Sequence, residues 1–201
     1  MTPGQLARRF LGPAFQPVGE FYRQIFVDMA KVAVWIEGYL PPDAHVLDVG
    51  GGDGYLVNLL LDRRSDIRVT MSDIAPTIGT FISKANSNRV ELLAGTDASK
   101  VRGRFDALTV ADVLHHVPRA EREKFFAMLG DTAHRTGSSK ILVKDIRPGN
   151  IRARLSLWSD LYVTGDKAVS LVTEDEILIP GFRCTVSAMP DYPNYCLLFE
   201  R

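Results

Sequence analysis

Strand-like and helix-like runs alternate from His45 to Ile146, and that alternation limits the fold more than any other property of the chain. "HVLDV" precedes a helical stretch at 55–61, "IRVTMSD" one at 76–84 and "FDALTVAD" one at 118–135, while "RVELLAG" and "KILVKDI" supply two further strands. The strand runs are nearly continuous in apolar residues, as strands covered on both faces must be. Regular alternation of this kind is the pattern of a doubly wound α/β sheet with parallel strands. Beyond Ile146 the rhythm changes. Ile151, Leu155, Trp158 and Tyr162 recur at helical spacing, and Thr173 with Glu176 makes a capping-box signature for a short following helix. "FRCTVSAM" and "YCLLFE" flank the turn-rich "PDYPN", which predicts an antiparallel hairpin. The expected sheet therefore has seven strands, five of them parallel and two closing the chain as a hairpin.

Upstream, Phe21, Tyr22, Ile25, Met29, Val32 and Ile36 fall on one helical face before Gly38 and a Pro-Pro break. A chain of 201 residues with 46% apolar content is long enough for one full core and cramped for two. The expectation is a single domain over 1–201, with helical caps at 1–40 and 147–172.

Lys plus Arg equals Asp plus Glu at 24 each, so no overall field draws the chain onto nucleic acid or an anionic surface. Nothing approaches the roughly 18 apolar residues of a membrane span, and the start lacks a signal-peptide stretch, so a cytoplasmic protein is expected. Cys184 and Cys196 sit in strand-like segments and read as buried reduced thiols. No metal site is assigned.

The first strand-to-helix junction reads "VLDVGGGDGYLVNLLL", with Gly50, Gly51, Gly52 and Gly54 beside Asp48 and Asp53. Glycine there lets main-chain N–H groups face a ligand at the carboxyl edge of the sheet, or else serves a tight turn with Asp53 capping the next helix. The dinucleotide spacing G-x-G-x-x-G fails in both frames, since Tyr55 and Val57 occupy the third position. Two carboxylates beside the loop would repel a pyrophosphate by about 4 kcal/mol at roughly 4 Å and an effective dielectric near 20. They suit a cationic ligand. The second strand ends in Asp73, where an acid in a nucleotide fold accepts the ribose hydroxyls. Asp97 in "GTDAS" is placed either to accept from an adenine amino group or to cap a short turn.

On these segments the chain resembles the class I S-adenosylmethionine-dependent methyltransferases. "LDVGGGDG" looks like their first motif, Asp73 their ribose-binding acid, "GTDA" their adenine-contacting segment and "FDALTVADVLHHVP" their fourth-strand motif. Thr96 stands where relatives often carry glycine next to the acid. The resemblance spans about 40–201 and implies a Rossmann-like methyltransferase fold that takes S-adenosylmethionine and releases S-adenosylhomocysteine. Its adenosine would cross the second and third strand tips at Asp73, Ile74, Thr96, Asp97 and Ala98. Its methionine end would lie near Asp48, Gly50, Gly51, Gly52, Asp53 and Gly54, and near Ala111 and Asp112.

Methyl transfer from a sulfonium is chiefly a matter of positioning the nucleophile, with deprotonation added for hydroxyls and some amines. His115 and His116 follow the fourth strand at the same sheet edge, and either a catalytic or a capping role is open to them. His116 is the preferred base, with His115 turning toward the helix packing. Tyr22, Trp158 and Tyr162 are the candidate walls of an acceptor site, and Arg147, Arg152 and Arg154 flank it. No Asn/Asp-Pro-Pro-aromatic motif follows the fourth strand, so a small-molecule acceptor, methylated at oxygen or nitrogen, is expected rather than nucleic acid or an integral membrane partner. The alternatives are a protein that binds S-adenosylmethionine without turnover, an enzyme for a lipid-linked quinone-like acceptor, and one that uses the aminopropyl or nucleoside part of a related ligand. The oligomeric state is left open.

Overall fold

The computed structural model describes residues 28–148 and 170–201. Seven strands form one sheet: β1 (His45–Val49), β2 (Arg68–Asp73), β3 (Val90–Ala94), β4 (Ala107–Ala111), β5 (Lys140–Ile146), β6 (Arg183–Asp191) and β7 (Asn194–Glu200). Their order is β3-β2-β1-β4-β5-β7-β6. The first five run parallel, and β7 inserts antiparallel between β5 and β6. This is the expected sheet, five parallel strands plus a hairpin.

Three α-helices belong to the described residues: α1 (Met29–Glu37), α2 (Tyr55–Arg63) and α3 (Arg122–Thr136). Asp28 caps α1 by accepting from Lys31 N, and Val32, Ala33 and Ile36 turn its apolar face inward. α3 stops at Gly137, whose left-handed φ of 82° lets its N–H reach the last carbonyls. Strand alternation sends Leu47, Val49, Leu108, Val110, Ile141 and Val143 to one core with α3. The opposite face buries Val46, Val69, Met71 and Leu142 against α1 and α2. Strands β1, β2, β4 and β5 are thus covered on both sides, whereas the edge strand β3 is largely exposed.

Four expectations need correction. Residues 76–84 are turns, not a helix: Gly79 takes φ 69°, and the N–H groups of Gly79 and Phe81 donate to the carbonyls of Gly52 and Asp53. Donors spent on the glycine loop cannot make helical bonds. Thr173 and Glu176 hydrogen-bond through their side chains, but the short helix expected after Thr173 is a single 3-10 turn, Glu174–Glu176. The helix expected at 118–135 begins as a 3-10 turn, Arg119–Glu121, and becomes α-helical at Arg122. Cys184 is exposed because β6 is an edge strand, whereas Cys196 is buried as expected. Of the 1–40 segment, the described part holds α1, and the rest lies outside the described residues. Tyr22, Trp158, Tyr162, Arg152 and Arg154, with most of the 147–172 segment, lie outside the described residues.

Candidate active site

β1 and β4 are neighbours, but the chain leaves β1 toward β2 and leaves β4 toward β5, so the loops after them part. A cavity of ≈620 Å³ opens there. Gly50, Gly52, Asp73 and Ile74 line one side, Thr96, Asp97 and Ala98 the next, and Asp112, Val113 and His116 a third. Phe125 and Met128 of α3 close it with apolar surface.

The junction glycines have separate reasons to lack a side chain. A Cβ on Gly54 would sit 2.8 Å from Ile82 Cδ1 and 3.2 Å from the Gly79 Cα, and its φ of 81° starts α2. Gly50 is crowded by Val113, and Gly51 by Asp48 and Met71. Gly52 differs: a Cβ there meets nothing nearer than the Gly50 carbonyl at 3.9 Å, and the residue lines the cavity. The tight turn and the bare cavity wall are both present, on different glycines.

Asp73 ends β2 with Oδ2 accepting from Gly52 N at 2.9 Å and Oδ1 from Ala75 N at 2.8 Å. A carboxylate offers about four lone-pair sites, so roughly two remain for ligand hydroxyls. Asp48 lies beneath the loop, 5% exposed, with Oδ1 accepting from Thr109 Oγ1 at 2.5 Å. Burial pushes its carboxyl up to about 6, with the Asp73 charge adding to the shift and the Thr109 bond opposing it. Asp53 accepts from Tyr55 N at the start of α2. Asp97 caps the 3-10 turn Ala98–Lys100 through Ser99 N, and these bonds hold its carboxyl below the usual range while it still lines the cavity.

After β4 the chain turns sharply, with Asp112 at φ 56°. Its Oδ1 lies 2.5 Å from Lys144 Nζ, a cation 1% exposed, so the pair neutralises itself at the cavity edge. His115 is buried and does not line the cavity, with Nδ1 2.6 Å from Asp145 Oδ1. Asp145 also accepts from Leu114 N, His115 N and Ile146 N. Burial favours its neutral form, but the His115 charge and side-chain hydrogen bond, the Ile146 N–H and the Lys144 charge outweigh it and hold the carboxyl below its ordinary value. The His116 ring lies beside that of His115, 4.2 Å between centroids and tilted by 43°, and lines the cavity. Asp112, His115 and Asp145 have ligand atoms within 4.8 Å of one another, but Lys144 and the backbone donors already occupy the carboxylates.

Of the residues singled out in the sequence, Gly50, Gly52, Asp73, Ile74, Thr96, Asp97, Ala98, Asp112 and His116 share this cavity. Gly51, Asp48, Asp53, Gly54, Ala111 and His115 support it from behind or beside it. Sequence reasoning passed over Asp145 and the α3 walls. The signal for Asp145 is there: a Lys-Asp pair inside the apolar run "KILVKDI" demands internal partners.

Residues 46–137 match the family model described as a methyltransferase domain, and the seven-stranded fold is that of solved methyltransferase structures. No curated protein matches the chain by sequence. Among solved structures it is similar to the mitomycin 7-O-methyltransferase MmcR, at 20% identity and TM-score 0.67, over 99% of this chain and 58% of that one. It is similar to the magnesium protoporphyrin IX methyltransferase of Synechocystis PCC 6803 with bound SAH, at 20% identity and TM-score 0.60, over 98% of this chain and 99% of that one. The O-methyltransferase NcsB1 of neocarzinostatin biosynthesis, in complex with S-adenosylmethionine and 2-hydroxy-5-methyl naphthoic acid, aligns at 17% identity and TM-score 0.65, over 95% of this chain and 57% of that one. At such identities the likeness carries the fold. The chain spans under three fifths of the length of MmcR and NcsB1. Among the described residues no helix is long and apolar enough to cross a membrane.

Proposed function

We propose that the chain transfers a methyl group from S-adenosylmethionine to a hydroxyl oxygen of a small molecule. The observation that carries this reading is one cavity with the bare main chain of Gly52 and the Asp73 carboxylate on one wall and the His116 imidazole on another. The residues fit the cofactor: Asp73 has acceptor sites left for the ribose hydroxyls, Ile74, Ala98, Phe125 and Met128 offer apolar walls to a base, and Asp48 supplies negative charge behind the loop. When bound, the cofactor supplies an electrophilic methyl on a sulfonium. Asp97 and the Thr96–Ala98 backbone hold the base end. Asp112 cancels the Lys144 charge at the cavity edge, so that this buried cation does not oppose the sulfonium.

His116 accepts the acceptor's proton at its ring nitrogen, and the Asp145–His115 contact fixes the turn that aims it. Deprotonation matters most for a hydroxyl, which favours oxygen over nitrogen as the target, and MmcR and NcsB1 are O-methyltransferases. Calorimetry with S-adenosylmethionine, followed by an assay for S-adenosylhomocysteine with a panel of phenols and enols, tests this. Binding followed by product release is expected. Binding without turnover would leave a cofactor-binding protein, and no binding would overturn the reading.

A further inference from the structure

Among the described residues, Trp35, Ser72, Ser83 and Asn194 have buried side-chain polar atoms without a hydrogen-bond partner, and of these only Ser72 lines the cavity. Ser72 is 1% exposed. Its carbonyl accepts from Gly50 N at 2.8 Å and Gly51 N at 3.3 Å, which pins its backbone and leaves the hydroxyl rotation about one bond. In register it stands between Val49 of β1 and Leu93 of β3. In-register residues of parallel strands share a face, so the hydroxyl sits in an apolar wall. An unpaired buried hydroxyl is a cost to the empty protein. A ligand acceptor placed against that wall removes the cost.

We propose that Ser72 is a base-recognition residue of the cofactor seat, its hydroxyl donating to a ring nitrogen of the purine; this rests on the reading of the cavity as a nucleoside site. The neighbouring groups divide the work by chemistry. Asp73 offers only acceptor sites and takes ligand hydroxyls. Ser72 offers a donor in a cavity that Val49, Ile74, Ala98, Phe125 and Met128 also line, surroundings that suit a flat heteroaromatic whose polar groups are in-plane lone pairs. A ring nitrogen is such a group. A protonated or carbon position there would leave the hydroxyl unpaired again.

The test compares wild type with Ser72→Ala, using S-adenosylhomocysteine and analogues in which one purine ring nitrogen at a time is replaced by CH. Calorimetry gives affinities and thermal unfolding gives the stability of each ligand-free protein. Ligand-free Ser72→Ala should melt at or above the wild-type temperature, because an orphaned hydroxyl is removed without a cavity. It should bind S-adenosylhomocysteine about tenfold more weakly, as loss of one hydrogen bond implies. Wild type should reject one analogue by about tenfold, and Ser72→Ala should accept that analogue as well as the parent. Equal affinity in wild type and variant overturns the proposal, as does a variant that keeps the wild-type preference among analogues. Wild type that binds no S-adenosylhomocysteine overturns the nucleoside reading, and this inference with it.

Discussion

His115 Nδ1 and Asp145 Oδ1 lie 2.6 Å apart with both side chains sealed from solvent, at 3% and 0% exposure. Asp145 gathers donors from Leu114, His115 and Ile146, so one carboxylate holds the whole turn from which His116 enters the cavity. Asp145→Asn sets an amide N–H against those donors and should destabilise the protein by about 3–5 kcal/mol in chemical denaturation. The Asp145 carboxyl is held below its ordinary value when folded, against about 3.9 when unfolded. Its contribution is therefore present above about pH 4 and lost as the pH falls through the folded value. The gap between wild type and Asp145→Asn should narrow on acidification below about pH 4. A constant gap would deny the carboxylate this role.

Gly52 and Gly54 separate binding from folding. Gly54→Ala forces a left-handed φ of 81° on alanine and drives a methyl toward Ile82 and Gly79. Its cost should be about 2 kcal/mol or more in unfolding free energy. Gly52→Ala meets open space and should cost only about 1–2 kcal/mol, from strain at its φ of 52°. Its S-adenosylmethionine affinity should nevertheless fall by tenfold or more. Unchanged affinity would remove the loop from the ligand site.

The buried Asp48 carboxyl should make cofactor uptake pH-dependent. Its folded carboxyl is raised to about 6 by burial, so the empty protein gains stability from the retained proton below about pH 4 and loses that gain as the pH rises through about 6. A bound cation favours the carboxylate. S-adenosylmethionine affinity should therefore rise between about pH 5 and pH 7, with proton release seen as a buffer-dependent heat. Asp48→Asn should flatten that dependence, and a flat wild-type profile would sink the argument.

His116→Ala should lower kcat by about 100-fold or more while S-adenosylhomocysteine binding stays at the wild-type level, if the imidazole carries the proton. Wild-type turnover in this variant would leave orientation alone as the source of rate.

The strands were legible because a sheet covered on both faces leaves no choice of residue: "HVLDV" and "KILVKDI" can be little else. The glycine junction and Asp73 were legible because their spacing belongs to a strand-turn-helix corner. The turns at 76–84 were not, since the bonds that replace a helix there run from Gly79 and Phe81 to Gly52 and Asp53, far away in sequence. Which glycine leaves open space at the cavity wall was equally hidden, because Val113, Met71 and Ile82 arrive from other elements to crowd the rest. Asp145 escaped notice for the same reason: its donors come from the turn after a different strand.

With turns instead of a helix between β2 and β3, the outermost parallel strand has one neighbour and a largely exposed surface, Leu92 included. The sheet should therefore unzip from that border, with the β3 amides the first of its strands to take up deuterium. Since Asp73 stands on the adjoining strand and Thr96 to Ala98 follow β3 directly, a nucleoside docked there would be read out as slowed labelling along β3.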